Sequence, residues 1–122
     1  MRNLFLSSAR PRFVNKDEVL ELARTTASRI GSKHPNVVKI LLFGSFARND
    51  FGVHSDLDLL IILGSSQKTV TDRIADFLED ALEYPTDVFP YTEQEIHARL
   101  RAGDPFLIRA SREGIQLYPA LE

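Results

Sequence analysis

The sequence of 122 residues contains no cysteine. Disulfides, thiolate metal sites and cysteine nucleophiles are therefore excluded, and a reducing compartment is allowed. Positive charge is not in excess either: 15 Lys and Arg against 17 Asp and Glu give a formal net charge of -2. Sequence-independent binding to nucleic acid depends on clustered Lys and Arg, so no direct nucleic-acid partner is expected. Long apolar runs are missing. Leu4-Phe5-Leu6 is followed at once by Ser7, Ser8, Arg10 and Pro11, too short for a signal-peptide core, and no later run approaches a membrane span. No membrane contact is expected, and the protein is placed in the cytoplasm. The Gly-rich loop with a Lys-Ser/Thr ending and the dinucleotide fingerprint are both absent. So are internal repeats and low-complexity tracts.

What is present describes a folded chain. Apolar residues make up 43% and charged residues 26%, as in soluble globular proteins, and the length suits one core. Residues 1–16 carry Pro11 and several arginines without a clear period and read as an N-terminal arm; residues 17–122 read as a single domain. From Asp17, Leu20, Ala23, Ala27 and Ile30 recur at helical spacing, with Gly31 as the expected stop. Val37 to Phe43 is a nearly continuous apolar run, expected to form a strand covered on both faces. Gly44 ends it, and Ser45 is expected to cap a following helical turn. Asn49 to Ser55 is too short for a crossover helix, so Asp58 to Leu63 should be a neighbouring strand.

Thr69 to Leu82 predicts a helix with Val70, Ile74, Phe77, Leu78 and Leu82 on its apolar side, and Asp72, Arg73, Asp76 and Glu79 on its polar side. Asp87-Val88-Phe89 reads as a short strand ended by Pro90, and Thr92 to Glu95 as a capping box opening another helix. Asp104-Pro105 starts a last helix, stopped by Gly114, and Ile115 to Tyr118 closes the chain as a strand.

Chemistry concentrates in one stretch. Asp56 and Asp58 stand two residues apart at a strand entrance, so their side chains share a face and can converge. Adjacent carboxylates repel unless a cation lies between them, and Mg²⁺, a hard ion that takes carboxylate and phosphate oxygens, suits such a pair. Asp87, opening another strand, is the best third acid for a two-ion site, and a candidate general base. Asp50, Asp72, Asp76, Asp80 and Asp104 fall where solvation or capping accounts for them. On its own, Asp56-Leu57-Asp58 would read as a turn acid and a strand-cap acid. Gly44-Ser45 a short loop upstream changes that reading, making Ser45 a candidate phosphate ligand and Arg48 a candidate for neutralising a triphosphate. His34, His54 and His97 offer no metal-ligand spacing.

Together Gly44-Ser45, Ala47-Arg48, Ser55-Asp56-Leu57-Asp58-Leu59 and Asp87 resemble the minimal nucleotidyltransferases of the DNA polymerase beta superfamily. The resemblance implies an α/β (α+β) domain of the nucleotidyltransferase fold, a small mixed sheet of three to four strands flanked by helices. It implies Mg²⁺, as two ions, on Asp56, Asp58 and Asp87, and nucleotide contacts from Gly44, Ser45, Arg48 and Ser55. The implied reaction moves a nucleoside monophosphate from a triphosphate, ATP being the expected donor, to an acceptor hydroxyl. One departure stands out: Asn49 occupies the place where the family usually has Gly, although Asn tolerates a left-handed backbone better than most residues.

The chain also lacks the large extra domain with which other members hold their acceptors. It is similar in this to the antitoxin half of toxin–antitoxin pairs, whose partner is an all-helical HEPN ribonuclease adenylylated on a tyrosine, bound, or both. A non-catalytic antitoxin that masks its partner is the alternative reading. Transfer to a small molecule of the aminoglycoside type is a weaker one.

Overall fold

The computed structural model describes residues 15–48, 56–81 and 83–121. The expected arm up to residue 14, together with Asn49 and Ser55, lies outside the described residues. Helix α1 (Lys16–Lys33) starts one residue earlier than the periodicity indicates, because the Asn15 side-chain oxygen accepts from the backbone N–H groups of Asp17 and Glu18 at 2.9 and 3.2 Å. Gly31 does not stop it. A Cβ at Gly31 would overlap the Tyr118 ring, so this glycine serves close packing of the helix on the last strand.

Strand β1 (Val37–Phe43) is followed by the short helix α2 (Ser45–Arg48), β2 (Leu57–Leu63), α3 (Val70–Leu78), β3 (Thr86–Thr92), α4 (Glu93–Arg101), α5 (Pro105–Glu113) and β4 (Ile115–Tyr118). The strands form one mixed sheet in the order β3-β2-β1-β4. β1 pairs antiparallel with β2 and β4, while β2 and β3 run parallel through the crossover of α3. β3 continues past Pro90, where the sequence reading ended it. It pairs only with β2, and an edge strand tolerates a residue without a backbone donor. β1 is less fully covered than expected, since Val38 and Lys39 near its start are exposed.

Alternation along the strands divides the core between two faces. Ile40, Leu42, Leu57, Leu59, Ile61, Leu63 and Val88 pack under α1 and α3, with Phe46 of α2 fully buried among them. Leu41, Phe43, Leu60, Ile62, Phe89 and Tyr91 face α4 and α5. The expected capping box is present: Thr92 Oγ1 accepts from the Glu95 N–H at 3.1 Å, and Glu95 Oε1 accepts from the Thr92 N–H at 2.9 Å. Asp104 caps α5 through the N–H groups of Phe106 and Leu107, and Gly114 ends that helix.

Two charged residues are buried against the sequence reading. Arg73, placed on the polar side of its helix, is 5% exposed. Its Nη1 and Nη2 donate to Glu95 Oε1 and Oε2 at 2.8 and 3.0 Å, Nη1 also to the Pro90 carbonyl at 3.1 Å, and Nε to the Lys68 carbonyl at 3.0 Å. The guanidinium thereby ties α3 to the end of β3 and the start of α4. Asp80 is likewise buried rather than solvated, with its carboxylate 2.8 Å from Lys33 Nζ and 3.1 Å from His34 Nε2. No helix among the described residues is long and apolar enough to cross a membrane.

Candidate active site

The site is built by strand register. Phe43, the last residue of β1, pairs with Asp58 on β2, and Asp58 pairs in parallel with Asp87 on β3. Asp58 follows the side-chain alternation of Leu60 and Ile62, and Asp87 that of Phe89 and Tyr91, so both acids belong to the face that carries α4 and α5. Asp56 stands immediately before β2 and is half-buried. The acids thus meet at the sheet end where β1 leaves and β2 and β3 begin.

Gly44 closes this end from the β1 side. It has φ +81°, a left-handed conformation, and a Cβ built on it would collide with Asp58 Oδ2. Its carbonyl accepts from the Arg48 N–H at 3.0 Å, which makes Gly44, and not Ser45, the residue before the first turn of α2. Ser45 is the first residue of that turn, and its hydroxyl makes no hydrogen bond among the described residues.

Electrostatics single out Asp58. Partial burial, then the Asp87 carboxylate, then the Asp56 carboxylate push its carboxyl up to about 6, against the opposing charge of Arg48. The three expected acids and Arg48 are therefore one coupled set. They are not a closed cage: among the described residues no three His, Asp or Glu side chains are gathered at metal-holding distances. Arg48 lies 3.7 Å from Glu113 of α5.

A cleft of about 630 Å³ opens at Gly44. Phe43, Gly44 and Arg48 form one side, and Pro105, Phe106, Arg109 and Arg112 of α5 contribute the other. The acids adjoin this cleft through Gly44 rather than lining it. Its floor is aromatic, with the Phe106 ring centroid 5.3 Å from that of Phe43 and 5.1 Å from that of Phe89. Sequence reading identifies α5 by its Asp104-Pro105 start and Gly114 stop and assigns it no site residue. The signal it passed over is the three-residue spacing of Arg109 and Arg112, opposite the buried Leu107 and Ala110.

The nucleotidyltransferase domain model matches residues 23–118. No curated protein matches the chain. Among solved structures, a candidate nucleotidyltransferase from Sulfolobus solfataricus superposes with a TM-score of 0.61 at 22% identity, over 83% of this chain and 80% of that one. A toxin–antitoxin structure with AMP-PNP superposes with a TM-score of 0.54 at 18% identity, over 81% and 74% of the two chains. At these identities the likeness is one of fold, and it agrees with a mixed sheet flanked by helices. With the family match spanning residues 23–118 of 122, the chain belongs to the nucleotidyltransferase domain family and is a nucleotidyltransferase.

Proposed function

We propose that the chain transfers the nucleoside monophosphate of ATP to a hydroxyl, a tyrosine in the reading drawn from resemblance, on a partner HEPN toxin, and so acts as its antitoxin. The observation that carries the proposal is the register pairing of Asp58 with Asp87 beside a glycine that cannot bear a Cβ. Partial burial, and after it the neighbouring Asp87 carboxylate, raise the pKa of Asp58, a cost of holding charge there that a cation would offset.

The donor set fits a hard divalent cation: three carboxylates that act on one another electrostatically, no thiolate, and a glycine whose missing Cβ lets the Asp58 carboxylate sit at the end of β1. Asp56, Asp58 and Asp87 would hold Mg²⁺, two ions in the fuller reading. Bound there, it supplies positive charge to the phosphate oxygens of substrate and leaving group. The chain's own residues do the rest. Asp87 is exposed, so an acceptor hydroxyl brought by another protein reaches it, and its carboxylate can take the hydroxyl proton. Gly44 lets the donor phosphates approach the backbone, Ser45 offers a hydroxyl, and Arg48 supplies charge.

The likeness of fold to a toxin–antitoxin structure with AMP-PNP supports the setting. The masking alternative draws on the absence of a preformed cage among the described residues. Mass spectrometry of the protein encoded beside this chain, after co-expression, separates the two. Transfer predicts a partner heavier by one AMP, and masking predicts a stable complex of unmodified partner that survives Asp58→Ala. Unmodified partner in cells that it no longer poisons would overturn the transfer reading.

A further inference from the structure

We propose that Arg109 and Arg112 of α5 bind the β- and γ-phosphates of the donor, the part that leaves as pyrophosphate. This inference rests on the transfer reading of the acids and names the part of the fold that receives the leaving group.

In the transfer, the acceptor oxygen bonds to the α-phosphorus and the bond from that phosphorus to the α–β bridging oxygen breaks. The bridging oxygen keeps the electron pair and leaves with pyrophosphate, and the acceptor proton passes to a carboxylate or to solvent. Charge therefore develops on the phosphate tail, where donors fixed in place are most effective. Mg²⁺ held on the acids would supply part of the compensating charge, and guanidinium donors nearby would supply the rest. A cleft lined with cations starts at Gly44, with Arg48 on one side and Arg109 and Arg112 on the other.

Position on α5 supports the assignment. Leu107 and Ala110 are buried on the sheet, while Arg109 and Arg112, three residues apart, share the flank that lines the cleft. Arg109 has a side chain 68% exposed and only a 4.0 Å contact to Glu113. Arg112 makes no hydrogen bond or ion pair among the described residues. Among the described residues, Glu113 lies 3.7 Å from Arg48 and 4.0 Å from Arg109, a distance that leaves the Arg109 guanidinium able to turn to a ligand. Two planar forks of donors across the cleft from Arg48 match a polyphosphate better than they match a single anion.

The test is calorimetric binding of inorganic tripolyphosphate, ATP and AMP, each with Mg²⁺, to the full chain and to Arg109→Ala/Arg112→Ala. Arg109→Lys/Arg112→Lys keeps the charge without the fork, and Arg101→Ala, on α4 outside the cleft, serves as control. Circular dichroism checks that each variant folds. Expected is a loss of roughly tenfold to a hundredfold for tripolyphosphate and ATP in the double alanine variant, with AMP changed less than about twofold, partial recovery in the lysine variant and none lost in the control. Tripolyphosphate binding that disappears in the variant supports the inference even where no nucleotide is transferred. Wild-type transfer that the double alanine variant reproduces overturns the inference alone. So do equal losses for AMP and ATP, a wild-type chain that binds no tripolyphosphate, or a variant that binds every phosphate normally and loses only the partner protein.

Discussion

Gly44 and Asp58 claim the same space: the position a Cβ would take on Gly44 is occupied by the Asp58 carboxylate oxygen. Asp58 lies on β2 and pairs with Phe43, the residue directly before Gly44, so the closeness follows from the register of β1 and β2. Gly44→Ala should therefore lose on the order of 2 kcal/mol from the φ of +81° and the collision together. In thermal denaturation of the double variant Gly44→Ala/Asp58→Ala, the collision part returns and the backbone part does not. Additive losses would show that the two side chains do not compete.

Asp58 makes the sheet end pH-sensitive in a direction opposite to most carboxylates. Its folded pKa of about 6 lies above the ordinary carboxylate value, so the folded protein holds a proton that the unfolded chain has released. In metal-free protein, stability from this group falls as pH rises from about 4 to about 6, and the cost is complete above that. Asp58→Asn should raise the melting temperature at pH 7.5 by a few degrees, and leave it unchanged near pH 3.5. Equal shifts at both pH values would refute the electrostatic origin of the strain.

Arg73 and Glu95 show the usual sign. The Arg73 guanidinium, hydrogen-bonded to both oxygens, holds the Glu95 carboxyl down to about 2. Its contribution to stability is present above the ordinary Glu value and is lost as pH falls toward 2. Arg73→Ala should cost about 2–3 kcal/mol, less than a fully buried pair because Glu95 keeps a 38% exposed side chain. Urea denaturation measures it, and nucleotide binding per folded molecule should not change, since the pair sits at the far end of β3 from Asp87.

Arg73 also shows where sequence reading loses its grip. Helical periodicity sets Val70, Ile74 and Phe77 against the sheet, and an arginine one position from that stripe reads as solvated. Only the meeting of α3 with the N-terminus of α4 supplies the carboxylate that lets it be buried. Asp80 is the same case, since its partners Lys33 and His34 come from the end of α1. Local signals fared better: the Thr92–Glu95 box, the Asp104 cap and the Gly114 stop each depend on neighbours in sequence, and each is present. Asp58 beside Asp87 lay between these extremes. The strands were legible, but their parallel register, which sets the two acids level, follows from the crossover through α3.

Transfer by the acids at the head of β2 and β3 is the core of the proposed function. Its most direct measurement is the single-turnover rate at which the chain, given ATP labelled on the α-phosphate and Mg²⁺, labels its co-encoded partner. Wild type should transfer label, and Asp58→Asn and Asp87→Asn should each slow it by at least about a hundredfold while still binding the partner. Transfer at wild-type rate in either variant would contradict the account.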